Sequence, residues 1–171
     1  MKCIKIILII LLSVLVAGCV YESKEEKRNA NDDVVNNLIH QHAKAWETGD
    51  YNLFNSVLDK DLVFAYPGRR LNKTEALKDF LDYNASFKDT KIYINKIIID
   101  GDYFAVEWQF ASTNKKTGNR TAVSDAIIGK VKDEKIIVWK EYLDGRVSRM
   151  QIAGNLTLEE GAEPFPWPKR K

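Results

Sequence analysis

The stretch Lys91-Ile92-Tyr93-Ile94-Asn95-Lys96-Ile97-Ile98-Ile99-Asp100-Gly101-Asp102-Tyr103-Phe104-Ala105-Val106-Glu107-Trp108-Gln109-Phe110 decides the fold class. β-branched and aromatic residues dominate it, and the apolar side chains recur with the two-residue period of a half-buried strand. Asp100-Gly101 separates two such runs, and an Asp-Gly pair supplies the positive φ that a tight hairpin turn needs. The spacing predicts strands over Lys91–Asp100 and Tyr103–Thr113, with Phe104, Val106, Trp108 and Phe110 on one face. Lys115-Lys116-Thr117-Gly118 turns the chain, and Arg120–Lys132 returns. Lys132-Asp133-Glu134-Lys135 turns it again, and Ile136–Leu143 is the last long strand.

Upstream the apolar spacing is helical. Val34, Val35, Leu38, Ile39, His42, Ala45 and Trp46 recur at three- and four-residue steps and form one stripe. The helix is expected to begin after Asn31 or Asp32, both good N-caps, and to end at Gly49. A short helix follows, with Tyr51, Leu53, Phe54, Val57 and Leu58 as its apolar bulk. Asp61–Tyr66 reads as a strand stopped by Pro67-Gly68. Thr74 heads a third helix, where Ala76, Leu77, Phe80, Leu81 and Tyr83 pack inward. Helices first and a meander after predict an α+β domain with helices on one face of an antiparallel sheet.

Residues 1–18 read as a targeting segment. Met1-Lys2-Cys3-Ile4-Lys5 is basic, Ile6–Leu12 is an unbroken apolar run, and small residues precede Cys19. Leu15-Val16-Ala17-Gly18-Cys19 resembles the lipobox of bacterial lipoproteins. That resemblance implies cleavage before Cys19, acylation of its sulfur and anchoring of the exported chain in the cell envelope. Val20 stands where inner-membrane lipoproteins of Gram-negative cells often carry Asp, which favours an outer membrane. At about 0.8 kcal/mol per buried methylene, two or three acyl chains hold a protein to lipid almost permanently. Residues 19–32 are the lipidated Cys and a linker: Glu22-Ser23-Lys24-Glu25-Glu26-Lys27-Arg28-Asn29 has nothing apolar to bury. An extended linker of this length spans some 40 Å at about 3.3 Å per residue.

The chain carries 26 Lys+Arg and 24 Asp+Glu, and the targeting segment holds Lys2 and Lys5 but no acid. The mature counts are therefore equal, which argues against nucleic acid as a partner. Cys3 leaves with the signal and Cys19 carries lipid, so no disulfide is expected. With His40 and His42 the only histidines, no zinc site of the usual kind is expected either. Neither a phosphate-cradling glycine loop nor a Gly-x-Ser-x-Gly elbow is present, and no cofactor is expected. Residues 33–155 make one domain. Residues 156–171 form a tail in which Pro164-Phe165-Pro166-Trp167-Pro168 forbids helix and Lys169-Arg170-Lys171 is basic; it either lies across the domain or hangs free, and a disordered end is the favoured expectation.

The order helix, Trp46-x-x-Gly49-Asp50, short helix, strand, Pro67-Gly68, helix and strands resembles the SnoaL-like, nuclear transport factor 2-like superfamily. The segment from Gly129 to Asp144 is especially similar, and the likeness runs from Asp33 to Gln151. It implies a cone: a curved sheet wraps the N-terminal helices in a cystatin-like roll and leaves a pocket at its open end. Members include polyketide cyclases, ketosteroid isomerases, limonene epoxide hydrolases, dehydratases and binding modules, and some dimerise through the outer sheet face. Fold alone therefore does not choose the function.

Three residues are candidates for chemistry. Asp125 shares a strand face with Thr121, Val123, Ile127 and Gly129, which sets a carboxylate on an apolar wall. Burial there raises its pKa and makes it a general acid or hydrogen-bond donor. By chain order it falls where the isomerases place the acid of their oxyanion hole. Asp144 ends Trp139-Lys140-Glu141-Tyr142-Leu143-Asp144, which resembles the Trp-Arg-Asp-Tyr-Phe-Asp segment of the epoxide hydrolases. Parity does not fix whether Glu141 or Asp144 faces inward, because strand ends bulge. His42 lies on the buried helix stripe, where the isomerases carry a tyrosine, and could act near neutral pH or simply pack.

Tyr66 occupies the position of the isomerases' base, but a phenol of pKa about 10 does not abstract protons at neutral pH. Trp108-Gln109-Phe110 stands where the epoxide hydrolases carry Arg-x-Asp. Tyr66, Trp108, Phe110, Trp139 and Glu141 instead suit the wall of a pocket for a small, partly apolar molecule. Three readings follow: a binding module, an acid–base enzyme using Asp125 with Asp144 or His42, and a dimerisation module.

Overall fold

The computed structural model describes residues 26–156 and Glu163. The targeting segment and Cys19 lie outside the described residues. Helix α1 covers residues 26–48 and is followed by α2 (Tyr51–Val57), β1 (Leu58–Tyr66), β2 (Arg69–Leu71) and α3 (Lys73–Ser86). Then come β3 (Phe87–Asp100), β4 (Tyr103–Asn114), β5 (Arg120–Lys132), β6 (Lys135–Leu143) and α4 (Gly145–Ile152). Among the described residues no helix is long and apolar enough to cross a membrane.

One open, curved sheet runs in the order β2-β1-β6-β5-β4-β3. Its neighbours pair antiparallel except β1 with β6, which are parallel. The α+β expectation is met, with that one parallel pair added. Irregularities in register fall between Lys88 and Lys91, Ile94 and Lys96, and Lys130 and Val131. Such bulges bend strands and strengthen twist, which lets the sheet wrap. Its inner face carries Ile92, Ile94, Phe104, Val106, Trp108, Ile127 and Trp139 against Val35, Ile39, Phe54 and Phe80 of the helices. Phe104 lies directly across from Gly129, where a Cβ would stand 2.0 Å from the Phe104 Cζ. Glycine is required there because the ring occupies the side-chain space.

The helix and strand starts differ from the sequence reading. α1 is already helical at residue 26, where Glu26, Lys27 and Arg28 are exposed helix formers, so part of the expected linker extends the helix. α3 begins at Lys73 because Asn72 and Glu75 form a reciprocal capping box. Neither β2 nor α4 was expected. The tail also departs from a free end at one point. Glu163 accepts hydrogen bonds from Arg120 Nε (2.8 Å) and Tyr93 Oη (2.9 Å), so this residue is held against the domain.

Candidate functional site

A cavity of about 610 Å³ opens between α3, the inner faces of β4–β6, and α4. Trp46, Phe64, Tyr66, Tyr83, Phe87 and Phe110 give it aromatic walls. Trp46, Tyr83 and Phe110 meet edge to face, with ring centroids 5.4 to 5.6 Å apart. Tyr83 also stacks on Phe87 at 4.5 Å. Such contacts fix the rings in place, so the wall is largely preformed. Asp144, Arg146, Ser148 and Arg149 also line it, from the start of α4.

Two carboxyl groups project into the hollow from neighbouring strands. Asp125 on β5 is only 7% exposed. Glu141 on β6 lies opposite Ile127, two residues from Asp125 on the same face. The alternative left open by parity is thereby decided: Glu141 faces inward, whereas Asp144 lies beyond the strand. Asp125 Oδ1 accepts from the Tyr142 amide at 3.0 Å, and its Oδ2 from Trp108 Nε1 at 3.3 Å. Glu141 Oε1 accepts from Trp139 Nε1 at 2.8 Å. Desolvation raises Asp125 to about 6 against the pull of these donors. Desolvation, and then the charge of Asp125, raise Glu141 to about 8. Two such groups in one apolar hollow hold a proton between them at neutral pH.

The remaining expected residues separate. Asp144 is the N-cap of α4; its side chain accepts from the Arg146 amide at 2.9 Å and pairs with the Arg146 guanidinium at 2.6 Å. Those bonds hold it down at about 2, which makes it a fixed anion and a weak base at the cavity mouth. Tyr66 lines the cavity and donates to Asp79 Oδ2 at 2.5 Å. Burial, then Asp79, push its phenol up to about 12, so it remains a neutral donor. Trp108 and Trp139 stand behind the carboxyls as donors, while Phe110 is part of the wall.

His42 is not among the cavity-lining residues. Its ring is fully buried and stacks on Trp139 with centroids 3.9 Å apart. Among the described residues neither ring nitrogen has a hydrogen-bond partner. Burial lowers it to about 3, so it is neutral and has no path to the carboxyls by hydrogen bond. His42 is therefore out of reach of Asp125, whereas Asp144 shares the cavity with Asp125 but is held as an anion by Arg146. The sequence reading overlooked Asp79 as a wall residue and placed Trp46 and Tyr83 in the core. A helix stripe does not distinguish a ring that packs from one that lines a hollow.

A family model described as a SnoaL-like domain matches residues 39–139, more than half of the chain. The chain belongs to the SnoaL-like family. The solved structures similar to this SnoaL-like chain agree in fold. One is a Catenulispora acidiphila protein of ketosteroid isomerase-like fold in complex with trimethylamine: TM-score 0.63, 17% identity, covering 68% of this chain and 92% of the other. Another is a LEH-like epoxide hydrolase from M. tuberculosis: TM-score 0.61, 17% identity, 70% and 89% covered. A third is a Streptomyces antibioticus protein assigned as a polyketide cyclase: TM-score 0.62, 18% identity, 69% and 97% covered. No curated protein matches the SnoaL-like chain in sequence.

Proposed function

We propose that this protein is an exported, lipid-anchored SnoaL-like module that binds a small, partly apolar molecule in its cone. The observation that carries the reading is the aromatic-walled hollow of about 610 Å³ with Asp125 and Glu141 at its side. A pocket of that size, with aromatic walls and charged groups that can orient a guest, suits a small-molecule site. Screening a library of lipophilic compounds by thermal shift tests it, since a ligand at 100 times its Kd stabilises by about 2.7 kcal/mol. The expected result is a set of related compounds that raise Tm. A complete absence of shifts, with a filled hollow in a crystal structure, rejects it.

The anchor is the second part of the proposal and is supported by the sequence from Met1 to Cys19. Cys19→Ser should abolish palmitate labelling and partition into detergent phase. Retention of both in that variant counts against the anchor.

A second reading, acid–base catalysis, is favoured by the split carboxyl pair. Asp125 and Glu141 titrate at different pH in one hollow, and such a division of roles suits proton transfer. Asp125 was the expected acid, but Glu141 is the group that keeps its proton at neutral pH, so on this reading Glu141 is the acid and Asp125 the base. On this reading Asp125→Asn loses turnover on a converted compound while keeping its fold. Full turnover in that variant excludes the role.

A further inference from the structure

We infer that the guest of this cavity carries a positively charged nitrogen, seated between the paired carboxylates and the aromatic walls. The inference rests on the pocket reading above and narrows it to a chemical class. Asp125 and Glu141 are diagonal neighbours on one sheet face, a separation of about 7–8 Å between Cα atoms and less between side chains. Among the described residues, no ion pair involves either carboxyl; the acids that are paired include Asp79, Asp144 and Glu163. Their donors are neutral: two indole N–H groups and the Tyr142 amide. A desolvated carboxylate without a cation is costly, and an entering cation relieves that cost.

The walls select the kind of cation. Six aromatic side chains line the hollow, and rings attract an alkylammonium through their electron-rich faces. A metal ion needs more oxygen or nitrogen ligands than this, and no three His, Cys, Asp or Glu converge among the described residues. An anion would meet two acids at depth. Positive charge lies instead on α4, where Arg146 is held by Asp144 and Arg149 also lines the cavity. Charge therefore runs from positive at α4 to negative at the β5–β6 wall. A guest with its ammonium against β5 and β6 and a polar end toward Arg149 follows that gradient.

Binding should be linked to protons. The empty pair shares one proton, and a cation favours its ionised form, so affinity should rise with pH. The other groups around the hollow do not reverse the sign. Tyr66 of β1 and Tyr83 of α3 have raised pKa values and stay neutral, as does His42 of α1. Asp79 of α3 is engaged by Tyr66 and Arg69, and Asp144 by Arg146.

The test is calorimetry on the full chain with 2-phenylethylammonium and its neutral counterpart 2-phenylethanol at pH 6.0 and 8.5. The cation should bind about tenfold more tightly than the alcohol at pH 8.5. Its lead should shrink at pH 6.0, while the alcohol stays constant. Glu141→Gln and Asp125→Asn should each reduce the cation's lead over the alcohol. Equal affinities at pH 8.5, or a lead unchanged in both variants, overturn the inference. If neutral lipophiles bind and the cation does not, this inference alone falls. If nothing binds, the pocket reading falls with it.

Discussion

His42 shows what a single side chain contributes when it has no polar partner. Its ring is fully buried against Trp139, Phe54 and Trp108, and burial holds it neutral down to about pH 3. In the unfolded chain the same imidazole takes up its proton near 6.5. The folded value is depressed, so its contribution is present above pH 6.5 and is lost as pH falls toward 3. The carboxyl pair acts in the opposite sense. Glu141 and Asp125 are raised in the fold, so their contribution is present below about pH 4 and lost as pH rises through about 6 and 8. The two effects overlap between about pH 4 and 6.5, so the wild-type profile alone does not separate them. His42→Phe does, because it removes only the imidazole. Relative to wild type, that variant should gain stability on acidification below pH 6.5, by at most about 1.4 kcal/mol per pH unit. Urea midpoints at pH 7.0 and 4.5 measure it; a constant difference between the two proteins would falsify the assignment.

Gly129 and the turn after it carry the argument for elements. β5 can cross β4 at Phe104 only because residue 129 has no side chain, as the 2.0 Å clash of an added Cβ shows. Gly129→Ala should destabilise by about 1–3 kcal/mol through overpacking. Phe104→Leu in the same chain should recover part of the loss, read as the urea midpoint. Four residues on, the β5–β6 turn places Asp133 and Glu134 at φ of 48° and 56°. A glutamate gains nothing from that conformation, so Glu134→Gly should stabilise by up to about 1 kcal/mol, visible as a higher Tm. The meander was legible because its apolar alternation and Asp100-Gly101 agree; β5 was bounded correctly at Arg120 and Lys132. Asp125 was legible for the same reason. Glu141 was named as a wall residue, but its inward direction was not fixed against Asp144, because alternation does not say where β6 ends; the strand keeps unbroken register from Trp139 to Leu143. α4 was hidden because Asp144-Gly145 reads as a turn. Its anchor, Gln151, bonds the amide and carbonyl of Ala122, a long-range contact that no local pattern announces.

For the whole molecule, the two sheet faces divide the work. The inner face holds core and cavity; the outer face is uneven. Near one end Gln109, Ala111 and Ala122 are buried, and Glu163 is held by Tyr93 and Arg120. Toward the other end Ile98, Tyr103, Ile128 and Tyr142 are each at least 50% exposed. Ala105 lies opposite both Ile98 and Ile128, so these isoleucines flank one small residue on adjacent strands. An exposed apolar strip of this kind suits a contact surface, and a second copy of the chain would present the same strip to it. Dimerisation is accordingly our proposal for this face, separate from the pocket. Anchoring by Cys19 would confine the chains to one surface and favour even a weak pairing. Ile128→Asp places a charge in the middle of the strip and should shift the protein toward monomer in sedimentation velocity. It should leave ligand binding unchanged, because residue 128 alternates away from Ile127 and the hollow. A wild-type chain that remains monomeric at high concentration removes the dimer; loss of binding in Ile128→Asp would show instead that the two faces are coupled through the sheet.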